Sequence, residues 1–156
     1  MVFFHRDPKR IPTDAGVISP ADGIVMDVSK NKAAVFMGLH NVHVNRAPFD
    51  GRVKLVLHKD GRHLPAFLGT SSNNEQNLII LETSDGEIEV CQITGAIVRR
   101  IVSYVKPGDV VKRGEKIGMI RFGSRVEFTL PRGYNFCVKI GDKVRAGETV
   151  VAVKVR

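Results

Sequence analysis

Apolar positions along this chain come in short runs, not in helical stripes. "GIVMDV", "AAVFM", "RVKLVLH", "NLIILET", "EIEVCQI", "KIGMIRF", "RVEFTL" and "TVVAVKV" are each rich in Val and Ile, and each is bounded by Gly, Asp, Asn or Pro. Branched side chains fit a pleated, half-buried surface, and the bounding residues supply turns, so each run predicts a β-strand. Fifteen Gly and seven Pro punctuate the series. Helical periodicity is weak throughout. "GAIVRRIVSYV" is the one stretch that reads either as a short helix or as a strand with a bent end. The pattern predicts a mainly-β single domain over residues 1–156, sandwich- or barrel-like, with few short helices.

One internal repeat refines this expectation. "VKPGDVVKRGEKIGMI", from Val105, returns as "VKIGDKVRAGETVVAV", from Val138, with Gly108, Asp109, Gly114 and Glu115 matching Gly141, Asp142, Gly147 and Glu148. Each copy sets a Gly-Asp turn before a Gly-Glu turn that leads into a strand. The unit resembles the hairpins of biotinyl and lipoyl carrier domains, which implies a barrel-sandwich type of scaffold. The Met-Lys-Met or Asp-Lys-Ala tip on which those carriers bear their cofactor is absent, so the repeat reads as frame.

Composition narrows the partners. At 156 residues, 43% hydrophobic and 26% charged, the chain is long and apolar enough for a real core. Its net charge of +8 favours an anionic partner. With no Trp, two Tyr and no recognition helix or stacking motif, nucleic acid is not expected. No apolar run reaches the roughly 18 residues of a membrane span, and "MVFFHRDPKR" is too short an apolar stretch for a signal peptide. Cys91 and Cys137 both lie inside apolar runs and read as buried free thiols, with a disulfide left open. His5, His58 and His63 lack partners at metal-ligand spacing, and no metal site is expected.

Three stretches carry candidate chemistry: "SPADG" from Ser19, "LHNVHVNRAPFDG" from Leu39, and "FGS" ending at Ser124. Taken singly, each has a bland reading as a turn, a surface histidine pair or a common dipeptide. Together they hold one Asp, one His and one Ser. A serine hydroxyl attacks only when a base takes its proton, a histidine can do so near neutral pH, and a carboxylate fixes the histidine tautomer. Such a relay is recognised by geometry, which the residues alone do not supply.

From end to end the chain resembles the short, type A form of the phosphatidylserine decarboxylases, which are pyruvoyl-dependent lipid enzymes, and their archaetidylserine-specific relatives. The matching stretches are "FFHRDPKR", "VISPADGIV", "HNVHVNRAPFDGRV", "NNEQN", "QITGAIVRRIV", "GEKIGMIRFGSRVE" and "VRAGETVVA", in that order. The resemblance implies that the backbone cuts itself between Gly123 and Ser124, giving chains of residues 1–123 and 124–156 that stay associated. It implies that Ser124 attacks the Gly123 carbonyl, that His43 is the base and Asp22 its orienting carboxylate, and that Ser124 ends as a covalent pyruvoyl cofactor. That group condenses with the head-group amine as a Schiff base and takes up the electrons released with carbon dioxide. His43 or His40 returns the proton. His40, Asn45 and Arg46 are expected at the substrate, where an Arg suits a phosphate or carboxylate, though a surface ion pair would explain Arg46 equally.

The same resemblance implies an anionic serine phospholipid as substrate, a membrane surface as partner and the cytoplasmic face of the cell membrane as location. A homodimer is compatible with it. Short members of the family usually carry an apolar segment before the "FF-R-DP" motif, whereas this sequence starts almost at that motif: either such an anchor precedes it or this member lacks one, and the sequence as given is expected to meet the membrane peripherally. "FLGTSSNN", Phe67 to Asn74, imitates the Leu-Gly-Ser-Thr motif of longer members, but it reads as a polar loop before "NLIILE". Two other functions fit parts of the sequence: a non-catalytic hairpin module, which would remain one intact chain, and a pyruvoyl enzyme for a soluble amino acid, which would be cut but indifferent to lipid.

Overall fold

The computed structural model describes residues 16–38, 44–61, 74–95, 101–120 and 123–155. Among these there is no helix. Fourteen strands form in chain order: β1 Val17–Ile18, β2 Gly23–Val28, β3 Lys32–Met37, β4 Val44–Arg46, β5 Gly51–Lys59, β6 Gln76–Thr83, β7 Gly86–Ile93, β8 Val102–Ser103, β9 Val110–Val111, β10 Lys116–Met119, β11 Ser124–Thr129, β12 Tyr134–Phe136, β13 Lys143–Val144 and β14 Val150–Lys154. The eight runs picked out by sequence all contribute strands. Most of the stretch "GAIVRR" lies outside the described residues, and its sequel supplies β8. No described helix is long and apolar enough to cross a membrane.

Eight strands make one sheet in the order β13-β2-β3-β11-β7-β6-β5-β9, and two three-stranded sheets, β1-β14-β12 and β4-β10-β8, complete the domain. All pairings are antiparallel. Alternation decides which face is inward: Ile79 and Leu81 on β6, Ile88 and Val90 on β7, and Val126 and Phe128 on β11 are all buried. Val17, Val151 and Ala152 from one small sheet and Ile117 from the other join the same core. The core therefore lies between the large sheet and the two small ones.

The 33-residue repeat is real in three dimensions, and each copy docks on a turn of its own. Gly108 donates to the Val53 carbonyl at 2.8 Å and Gly141 to the Val25 carbonyl at 2.8 Å, while Val53 and Val25 donate back to Asp109 and Asp142 at 2.8 and 2.9 Å. The two receiving turns, "SPADGIV" and "APFDGRV", are themselves alike, with Asp22 matching Asp50 and Gly23 matching Gly51. Lys143 pairs Ile24 and Val144 pairs Gly23, as Val110 pairs Arg52 and Val111 pairs Gly51. The domain is thus a pseudo-twofold pair of docked turn-and-hairpin units.

One expectation is corrected. Cys91 is partly buried, but the Cys137 thiol is exposed, and both are free. Cys137 follows β12, the edge strand of a three-stranded sheet, so its apolar flanks do not enclose it.

Candidate active site

The Gly-Ser pair stands where the chain passes from one sheet to another. β10 belongs to a small sheet and β11 to the large one. Gly123 makes the change with φ +76°, a left-handed conformation that a side chain resists. Its amide donates to the Met37 carbonyl at 2.7 Å. Ser124 begins β11, opposite Met37 of β3, and is only 2% exposed. The peptide between them is held at the end of a central strand with its hydroxyl residue shielded from bulk water.

Register collects other residues at this end of the sheet. β2 pairs β3 through Ile24↔Phe36, so Asp22 and Gly23 lie at the end where β3 finishes and β11 begins. Asp22 is 6% exposed, and its Oδ1 accepts from the Ala146 amide at 2.8 Å. The chain leaving β3 at Met37 and re-entering at Val44 carries His40 and His43; both lie outside the described residues, as do Thr70 of the "FLGTSSNN" stretch and His5 and His63.

Asn45 and Arg46, expected at the substrate, have places in the frame. Asn45 is fully buried; its Oδ1 accepts from Gln92 Nε2 at 2.8 Å and its Nδ2 approaches the Met37 sulfur at 3.7 Å. Gln92 Oε1 accepts in turn from Asn77 Nδ2 at 3.0 Å. A buried amide without partners costs about 1–3 kcal/mol, so this chain of three ties β4, β7 and β6 together only because each member is matched. Arg46 Nη1 donates to the Gly114 carbonyl at 2.8 Å. Sequence reading missed Gln92 and Asn77: Gln92 was legible as a polar residue in step with Ile88 and Val90 of an alternating run, whereas Asn77 stands before four consecutive apolar residues that hide which face it takes. It also missed Gly95, whose Cα is so near the Gly123 carbonyl that no side chain fits between.

The outer face of β11 is charged. Glu127 accepts from Lys32 Nζ at 2.8 Å and pairs with Arg125 Nη2 at 3.1 Å. The hydrogen bond to Glu127 raises the Lys32 pKa above its ordinary value, against the opposing effect of burial. Beside them, burial pushes the Cys91 thiol up to about 12; it is unsuited to serve as a nucleophile at neutral pH. Among the described residues, His58, Asp60 and Glu75 form a group that could hold a metal ion, with His58 Nε2 3.3 Å from Asp60 and 3.0 Å from Glu75. That group corrects the expectation that His58 lacks partners: Glu75 comes from β5's neighbouring chain segment, 17 positions away in sequence but adjacent in space.

Residues 1–152 match the family model described as phosphatidylserine decarboxylase. The chain is 52% identical over 156 residues to a protein of Methanococcoides burtonii named as an archaetidylserine decarboxylase proenzyme, covering 99% of this chain and 75% of that one. It is 47% identical over 154 residues to a protein of Streptomyces griseus named phosphatidylserine decarboxylase proenzyme, covering 96% and 72%. A protein of Thermobifida fusca with the same name is 49% identical over 154 residues, covering 96% and 71%.

Proposed function

This chain belongs to the phosphatidylserine decarboxylase family, and on that premise we propose how it matures and acts. It is a decarboxylase of a serine phospholipid, made as a proenzyme. The maturing cut falls between Gly123 and Ser124. The observation that carries this reading is the junction itself: a left-handed Gly123 with its amide tied to Met37, followed by a buried Ser124 at the start of β11.

Ser124 Oγ forms a bond to the Gly123 carbonyl carbon as His43 takes its proton. The bond from that carbon to the Ser124 nitrogen breaks, the nitrogen gains a proton, and the backbone runs through an ester. Removal of the Ser124 α-proton then expels the Gly123 carboxylate and leaves a dehydroalanine, which tautomerises to an imine and takes up water to release ammonia. Ser124 is left as a pyruvoyl group at the new N-terminus. Asp22 orients His43, supported by its burial at the same end of the sheet. When formed, the pyruvoyl group supplies the electron sink for loss of carbon dioxide. His43 or His40 protonates the α-carbon that remains.

The two fragments stay together because the smaller one is woven into the sheets. Residues 124–156 contribute β11 between β3 and β7, β13 against β2, and β14 between β1 and β12. The net charge of +8 supports peripheral docking of the protein on the anionic cytoplasmic face of the membrane, where each basic group near the surface contributes about 1 kcal/mol. Intact mass of the purified protein under denaturing conditions tests the central claim. Two fragments divided after Gly123, the smaller lighter by one ammonia than a peptide that begins with Ser124, support it. One stable chain of full mass defeats it. Vesicles containing the diacyl or the ether-linked serine lipid then decide the substrate.

A further inference from the structure

Two glycines meet at the bond between residues 123 and 124, for opposite reasons. A Cβ on Gly123 would meet open space, so its φ of +76° alone accounts for that glycine. Gly95 is not among the left-handed glycines, so no positive φ calls for a glycine there. A Cβ on Gly95 would instead lie 1.9 Å from the Gly123 carbonyl oxygen, 2.8 Å from its carbon and 3.6 Å from the Ser124 nitrogen. Ordinary carbon–oxygen contacts are about 3.3 Å or longer. Gly95 is a glycine for room. Gly23, Gly51 and Gly118 are also tightly packed, but they press on the carbonyls of Phe36, Glu82 and Val102, which are frame.

The register explains the encounter. β11 pairs β7 through Arg125↔Ile93, and two further antiparallel steps set Gly123 across from Gly95. On the other flank, the Gly123 amide is fixed to Met37 of β3 at 2.7 Å. The residue is clasped, with its N–H pinned on one side and its carbonyl oxygen received on the other.

Resting on the reading that this peptide is the one cut, we propose that Gly95 is a positioning residue for self-cleavage. Its missing side chain is the space that the Gly123 carbonyl oxygen occupies while the carbon turns from planar to tetrahedral under attack by Ser124 Oγ. A methyl group at position 95 displaces that carbonyl, and a misplacement of about 1 Å at a reacting centre costs roughly 100-fold in rate.

The test compares the unchanged chain with Gly95→Ala and Gly51→Ala. Each is followed by intact mass over time, by thermal unfolding, and by incubation with hydroxylamine, which splits an ester. Gly51 is the control for crowding: its Cβ would lie 2.6 Å from the Glu82 oxygen, and β6 and β7 separate its strand from β11. The expected result is that Gly51→Ala loses thermal stability but is cut at the usual rate. Gly95→Ala also loses thermal stability but folds, is cut at least about 100-fold more slowly, and yields no fragments with hydroxylamine because no ester forms. Cutting of Gly95→Ala at the usual rate, or its release by hydroxylamine, overturns the proposal. A Gly95→Ala chain that does not fold while Gly51→Ala does reduces Gly95 to packing and overturns it too. If the unchanged chain itself stays whole, the reading of the cut has failed, which is a separate result.

Discussion

The domain contains two turns of the same design at opposite ends of its large sheet. In the turn Pro20-Ala21-Asp22-Gly23, Asp22 Oδ1 accepts from the Ala146 amide at 2.8 Å. In the turn Pro48-Phe49-Asp50-Gly51, Asp50 Oδ1 accepts from the Arg113 amide at 2.6 Å. Ala146 and Arg113 are themselves equivalent positions of the hairpin repeat. The shared bond is scaffold: a carboxylate gathers a hairpin amide, a charge-assisted contact worth about 1.5–3 kcal/mol. What differs is the neighbourhood. Asp22 lies at the end of the sheet where β3 stops and Ser124 begins β11, whereas Asp50 lies at the end occupied by the Ser84–Asp85 turn between β6 and β7. On the proposed mechanism, a duplicated unit holds one copy as frame and lends the other to chemistry.

The largest expected effect comes from Ser124→Ala. With no hydroxyl to attack, the chain remains whole in intact mass and releases no carbon dioxide from serine lipid. His43→Ala should block or greatly slow the same cut, and unimpaired cutting would remove His43 as the base. Next come the paired turns. Asp22→Asn keeps an acceptor for the Ala146 amide, so it should fold yet be cut more slowly by about 100-fold or more, within the range of a lost acid–base partner. Asp50→Ala loses its acceptor, should cost about 1–3 kcal/mol in thermal unfolding, and should be cut normally. If both turns affect cutting alike, the division between frame and chemistry fails.

A smaller effect sharpens the symmetry. Gly108 and Gly141 share φ +97° with open space around them. Replacing either with Ala should destabilise by about 1–2 kcal/mol, nearly equally, because the strain is conformational and local. The smallest effect concerns the thiols. Cys91, pushed up to about 12 by burial, has little thiolate at pH 8 and should alkylate far more slowly than exposed Cys137, with no change in cutting from either modification.

Much of the frame was legible because strands declare themselves locally. "NLIILET" is a short branched apolar run and "EIEVCQI" alternates, a Ser-Asp turn joins them, and they pair as β6 and β7. The hairpin repeat was legible through its Gly-Asp and Gly-Glu spacing. Its partner was harder to see: Pro20-Ala21-Asp22-Gly23 and Pro48-Phe49-Asp50-Gly51 share three of four residues at a spacing of 28, but a four-residue likeness has no force until a hairpin is seen docking on each. The family resemblance places Asn45 at the substrate, but its amide chain with Gln92 and Asn77 was not legible, because it depends on three strands meeting.

The sequence by itself determined that this chain is a β domain, that its family is that of the serine-phospholipid decarboxylases, and that Gly123 and Ser124 fall at the junction of two apolar runs. Those facts rest on residue types and order along one chain. Only the tertiary structure decided that Gly123 is left-handed and clasped between Met37 and Gly95, that Asp22 shares an end of the sheet with Ser124, and that Asp50 does not. Each of these is a relation between strands distant in sequence, and antiparallel register alone fixes which residues stand opposite one another.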